Sequence, residues 1–205
     1  MTGPTDAHGA TAGAVLSSTR SEGAADATFR EALHSGGPAA ERAEAMALYG
    51  RFVGAWDGTL SYEDERGRRR ETSAEVHFGW VLNGKAVQDV WIAPARSDPD
   101  DAASDRMYGT TIRVYDPRTD QWRIEWLDPG TGEFNSMTGK AIGGDIVQEY
   151  TDGDVTHQWV FSDITDNSFR WTSRHSHDKG TTWQIRTEYR LHRRADPPEH
   201  GTARR

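Results

Sequence analysis

Residues 145–177 read DIVQEYTDGDVTHQWVFSDITDNSFRWTSRHSH, and three short strands are written into them. On a β-strand, successive side chains point to opposite faces. Ile146, Gln148 and Tyr150 therefore share one face of the first strand. His157, Trp159 and Phe161 share a face of the second, and Trp171, Ser173 and His175 a face of the third. Glu149, Arg170 and Arg174 fall on the opposite faces, where a charge can stay in water. Asp152–Asp154 and Asp166–Asn167 interrupt the runs with residues that favour turns.

The same alternation extends in both directions, from Phe52 to Arg193. Strands are predicted near 52–63, 70–82, 85–93, 106–115, 121–127, 134–142, 145–151, 155–164, 168–177 and 182–193. Between them stand Asp64–Gly67, Asn83–Gly84, Asp116–Asp120, Asp128–Gly132, Gly143–Gly144 and Asp178–Gly180. Asn-Gly and Gly-Gly pairs suit two-residue hairpins. Pro94–Asp105 is longer and reads as a loop at a barrel rim. Strands joined by tight turns, with no helices between them, form an antiparallel meander, and closing a meander removes its exposed edges. The expected fold is therefore all-β, an antiparallel up-and-down barrel of about ten strands. A two-sheet sandwich is the alternative.

If the aromatic rows face inward, the interior also holds Trp56, Gly58, Leu60 and Tyr62, followed by Val76, Phe78, Trp80 and Leu82. Tyr108, Thr110, Ile112 and Val114 come next, then Trp122, Ile124 and Trp126, and Phe134, Ser136 and Thr138. Trp183, Ile185, Thr187, Tyr189 and Leu191 complete it. Arg113, Arg123, Glu125, Arg186, Glu188 and Arg190 are placed outside. Within Ala86–Ile92 either Gln88 or Asp89 points inward, and the outward phase is favoured for Asp89.

Upstream of the strands, residues 1–23 lack periodicity and are expected to be a disordered tail, as are residues 195–205. Residues 24–50 read as a helical segment packing on the barrel of residues 51–194. Asp26 caps a short first helix carrying Phe29 and Leu33, Gly36–Pro38 breaks it, and a second runs to about Tyr49.

Composition limits the chemistry. There is no cysteine, which rules out disulfides, thiolate metal sites and a cysteine nucleophile. The net charge of −8 opposes binding to nucleic acid or to an anionic membrane. Arg66 and Arg68–Arg70, beside Glu63, Asp64 and Glu65, read as a charged hairpin turn. No apolar run approaches the roughly 20 residues of a membrane span. The N-terminus lacks the basic opening and apolar stretch of a secretory signal, so a cytoplasmic location is expected. Ser136 and Ser173 lie in no nucleophile elbow, and Gly139-Lys140 is not a phosphate loop.

Gly54-Ala55-Trp56, at the entrance to the first strand and after a helix, resembles the signature of the lipocalin-like or calycin superfamily. With the hairpins that follow, the resemblance covers roughly residues 50–193. It implies that Trp56 lies across the closed end of the barrel, beneath an arginine of the last strand such as Arg190 or Arg193. The strand count resembles fatty-acid-binding and nitrobindin-like barrels more than eight-stranded lipocalins. What the resemblance implies for function is a cavity for small hydrophobic ligands.

The leading expectation is accordingly a barrel that binds a small hydrophobic or aromatic molecule, without a cofactor or metal. Trp80, Tyr108, Trp126, Ser136, Gln148, Tyr150, Trp159, Trp171, Ser173, Trp183 and Tyr189 are the candidate ligand contacts. A cofactor-independent isomerase, cyclase or lyase is the alternative, with His157, His175, Asp89 and His77 as candidate acid–base residues. An interior histidine serving haem iron, as in nitrobindin-like barrels, is a third reading. A protein-association domain, forming for instance a homodimer, is a fourth.

Overall fold

The computed structural model describes residues 27–64, 66–98 and 106–195. The ten strands are β1 (Gly54–Glu63), β2 (Arg69–Val81), β3 (Ala86–Ala93), β4 (Met107–Asp116) and β5 (Gln121–Asp128), then β6 (Glu133–Ile142), β7 (Asp145–Asp152), β8 (Val155–Ser162), β9 (Ser168–Ser176) and β10 (Gln184–Arg193). Each pairs antiparallel with its neighbours in sequence, and β10 returns to pair with β1, Tyr189 opposite Leu60. The ring is closed, as the meander requires, and the sandwich is excluded.

Two helical pieces precede the ring. Residues 27–33 form a helix, α1, with Phe29 exposed. A 3₁₀ turn (Ala40–Arg42) leads into α2 (Ala43–Gly50), and His34–Ser35 makes a short strand pairing with Trp80 and Val81 that the sequence did not announce. The expected N-cap Asp26, the expected tail of residues 1–23 and all but Ala195 of the expected tail of residues 195–205 lie outside the described residues, as do 99–105 of the rim loop.

One end of the barrel is sealed. Met46 and Tyr49 of α2, with Phe52 and Trp56 behind them, are at most 1% exposed. The Trp56 indole donates to the Phe52 carbonyl at 2.7 Å, and its ring meets Phe169 edge-on at 4.7 Å. Phe52 sits 4.9 Å from both Phe161 and Phe169. Arg193 covers the plug, its guanidinium 4.2 Å from the Trp56 ring centre. It also donates to the carbonyls of Val53, Arg51 and Asp166 at 2.8, 2.7 and 2.8 Å. Arg193, rather than Arg190, thus takes the position that the superfamily resemblance implied; Arg190 pairs with Glu188 outside.

Four strands depart from the expected phase, β3 among them because Asp89 and Trp91 face inward. In β4 the inward row is Met107, Gly109, Thr111 and Arg113, leaving Tyr108 and Val114 exposed. Gly109 belongs inside because a Cβ there would lie 2.0 Å from the Trp126 ring. In β6 Met137 and Gly139 face inward, whereas Phe134 is 61% exposed. A Cβ on Gly139 would lie 2.5 Å from Ile124 and 2.7 Å from the Tyr49 hydroxyl. In β10 a bulge between Ser173 and Arg174 of the pairing puts Arg174 opposite Ile185 and leaves Arg186 unpaired. The bulge turns Trp183 and Ile185 outward and brings Arg186, still exposed, to the lining of the cavity mouth. Glycine in an inward row carries no hydrophobic signal, and a bulge shifts the period by one.

The plug predicts a large stability cost for truncation. Trp56→Ala should lower the unfolding free energy by about 3–5 kcal/mol, read as a lower urea midpoint with an unchanged slope.

Candidate functional site

The inward side chains do not fill the ring. A cavity of about 1060 Å³ runs from the mouth toward the plug. Its walls are aromatic. Trp171 stands 5.4 Å from Trp91, 5.3 Å from Trp159 and 5.5 Å from Tyr189, and Trp126 stands 5.5 Å from Trp159. Most of these rings meet edge-on or tilted, the arrangement their quadrupoles favour. Each is thereby braced by its neighbours, and the walls are preformed. Burial pushes the Tyr189 hydroxyl well above the ordinary phenol range, so it remains a neutral O–H group.

The floor is polar. Asp89 of β3 is fully buried; it accepts the Thr111 amide at 2.8 Å and the Arg113 Nη1 at 2.5 Å. The Arg113 guanidinium, 1% exposed, lies 5.0 Å from the Tyr49 ring, 5.8 Å from Phe78 and 5.7 Å from Phe161. It separates the cavity from the sealed end.

Histidines gather at the mouth. His157 stacks on Tyr150 with ring centres 4.6 Å apart, His175 lies 6.2 Å from His157, and His177 lies 5.0 Å from His175. Arg186 joins them on the lining. Burial, and then the nearby Arg186, hold the His175 ring below its usual range, so it is neutral at pH 7.

Eight of the residues singled out from the sequence line this cavity: Trp126, Tyr150, Trp159, Trp171, Ser173, Tyr189, His157 and His175. Six others are elsewhere. Trp80 packs against Gly50 of α2 at the sealed end. Gln148 faces inward but lies below the cavity, donating to the Tyr49 hydroxyl at 3.1 Å. Tyr108 and Ser136 are outside because of the phase of β4 and β6, with Ser136 donating to Glu125. Trp183 lies outside under the Arg174 guanidinium at 4.7 Å. His77 faces away from the interior, next to Glu75, which Arg96 and Arg194 cover.

Asp89 is the main correction. It faces inward rather than outward, and it brings Trp91 with it. Its oxygens serve Thr111 and Arg113 rather than any of the candidate histidines. Arg113, placed outside by its charge, is the counter-ion that makes the inward phase tolerable. The signal was available: Asp89 and Arg113 are the charges within two strands otherwise made of uncharged residues, Ala86–Ala93 and Met107–Tyr115. The Arg66–Arg70 turn does behave as expected, since the Asp64 carboxylate accepts from Arg68 and Arg70 at 3.0 Å each. Among the described residues no three His, Asp or Glu side chains converge to hold a metal ion.

No family model matches the chain, and no curated protein matches it. Solved structures similar to this chain include the two that follow. Rv2717c from M. tuberculosis is 17% identical, covering 75% of this chain and 99% of its own, with a TM-score of 0.48. The S-type phycobiliprotein lyase CpeS from Guillardia theta is 12% identical, covering 78% of this chain and 100% of its own, with a TM-score of 0.49. The barrel is calycin-like. That statement stands on the closed ring and on Trp56 beneath Arg193.

Two measurements follow from the site. Asp89→Ala leaves Arg113 buried without its counter-ion and should cost about 3–5 kcal/mol, whereas Asp89→Leu combined with Arg113→Met should recover most of it in urea unfolding. In an NMR titration the His175 ring should show a midpoint below 6.5. The sign is that of a lowered folded-state value: this histidine's contribution to stability is present above pH 6.5 and is lost as pH falls below it, because the unfolded chain takes up the proton first.

Proposed function

We propose that the barrel binds a small, largely apolar molecule with a flat or aromatic body. The observation that carries this reading is the cavity of about 1060 Å³ walled by four tryptophans that brace one another. Small-molecule sites are concave and mostly apolar, with a few placed polar groups, and they reach roughly 1,000 Å³. Here the polar groups include Arg113 and Thr111 at the floor and the histidines with Arg186 at the mouth, and Asp128, Ser173 and Thr187 also line the cavity. Binding is favoured over acid–base catalysis because Asp89 is committed to Arg113 and His77 lies outside.

Haem is a second reading, favoured by one observation: His157, His175 and His177 all line the cavity, with His175 6.2 Å from His157 and 5.0 Å from His177, and imidazole ligates haem iron. His157 or His177 would be the other available ring. The two readings share the cavity and differ in which end they use.

N-phenyl-1-naphthylamine, a neutral fluorophore, tests the leading reading. It should bind with a dissociation constant on the order of micromolar, with quenching of tryptophan emission. Ser173→Trp, which fills the lumen, should weaken binding at least tenfold while the Tm stays unchanged. No binding, or binding indifferent to Ser173→Trp, would count against the cavity. Titration with haem decides the second reading: a Soret band lost in His175→Ala supports it, and no band sinks it.

A further inference from the structure

Four carboxylates are buried among the described residues: Glu75, Asp89, Asp128 and Glu188. Three of them are held by arginine, Glu75 by Arg96 and Arg194, Asp89 by Arg113, and Glu188 by Arg170 and Arg190. Asp128, 6% exposed, pairs with no Lys, Arg or His among the described residues, and it is the one of the four that lines the cavity. Its Oδ1 accepts the Gly130 amide at 2.9 Å, which fixes the turn after β5. Its Oδ2 has no partner among the described residues and remains open to a water-sized molecule. Asparagine would serve the same turn through its own side-chain oxygen. The turn thus needs the oxygen and not the charge, and a buried charge without a counter-ion is costly.

Position shows where the carboxylate is aimed. Asp128 follows Trp122, Ile124 and Trp126 on the inward row of β5, and β10 stands five strands away, across the ring. Burial first, and the Asp128 charge second, hold up the hydroxyl of Tyr189 on β10, so the carboxylate faces across the lumen. The other charges on the lining do not neutralise it. Arg113 is matched by Asp89, and Arg186 is exposed at the mouth on the β10 side. Glu133, paired with Asp128 across the hairpin, adds a second negative charge on the same side. Trp126 is the preceding residue of the inward row, with Trp159 5.5 Å from it, and aromatic faces attract cations, more strongly where water is excluded.

We infer that Asp128 recognises an organic cation: a protonated amine whose N–H donates to Oδ2 while its aromatic body lies against the tryptophan walls. The inference rests on the proposed cavity and adds the class of ligand, an amine rather than a neutral molecule or an acid.

Three naphthalenes of similar shape test it by calorimetry. They are 2-(2-naphthyl)ethylamine, which is protonated at neutral pH, 2-(2-naphthyl)ethanol and 2-naphthylacetate. The wild-type protein should bind the amine about tenfold more tightly than the alcohol, the effect of one hydrogen bond between charged groups. The acetate should bind at least tenfold more weakly than the amine. In Asp128→Asn, which keeps the turn, the amine-to-alcohol ratio should fall to about one, while the Tm without ligand stays the same or rises. The net charge of −8 attracts any cation, but almost equally in both proteins, so the change in ratio reports Asp128 itself. Equal binding of amine and alcohol by the wild type, or a ratio unchanged in Asp128→Asn, would overturn the inference alone and leave the cavity reading intact. A clearly lower Tm in Asp128→Asn would assign the carboxylate to the fold and overturn it as well. Tighter binding of the acetate than of the amine would overturn the sign of the ligand's charge. Failure of all three compounds together with N-phenyl-1-naphthylamine would instead remove the cavity reading beneath it.

Discussion

A ring of ten paired strands encloses more space than its inward side chains can fill. That geometric excess governs most of this molecule. At one end the excess is taken up by α2 and by the stack of Phe52, Trp56, Phe161 and Phe169. Toward the other end it persists as the cavity. The boundary between the two is drawn by Arg113, whose guanidinium touches the aromatic stack on one side and the lumen on the other. Once the ring closes between β2 and β3 and between β10 and β1, a plug and a chamber are complementary results of the same width.

Much of this was legible in the amino-acid order. Strand positions were marked by Asn-Gly, Gly-Gly and aspartate-rich turns, and the observed bounds fall within about two residues of those predicted. The aromatic rows of β5, β7 and β9 gave the correct interior because charges stood opposite them, and β8 did so by the row of His157, Trp159 and Phe161 alone. β4 misled for the same reason in reverse. Arg113 was assigned to water, since an isolated charge prefers it, but sequence order does not show that Asp89 arrives from the neighbouring strand to pair with it. In β6 the inward row ends in Gly139, where absence of a side chain is what the fold requires. In β10 the bulge cannot be read from period 2. Trp80 and Gln148 faced inward as expected, yet depth along the barrel axis, which alternation does not encode, put them at the sealed end.

The Asp89–Arg113 pair illustrates how a buried ion pair can matter without adding net stability. Replacing such a pair by apolar residues of similar size is often neutral or stabilising, while breaking it is costly. What the pair does fix is the phase of β3 and β4, whose inward rows it joins. Polar groups at a floor and a mouth, separated by tryptophan walls, give a ligand a direction as well as a volume. The neutral state of His175 keeps the mouth cluster from becoming a concentrated positive field at pH 7.

Arg193 joins parts of the chain that are made at very different times. Its contacts with the Val53 and Arg51 carbonyls span 140 and 142 residues. The strand that carries it is the last of the ring, and its partner β1 is the first. During synthesis, hairpins can form in order as they emerge, because each strand pairs with the one before it. The ring cannot close, nor the tryptophan plug be covered, until the final strand has left the ribosome. Non-local pairing of this kind slows folding and leaves sheet edges open in the interval. The nascent chain therefore passes through a nearly complete, open curl, whose two unpaired edges belong to the strands that Arg193 later ties together.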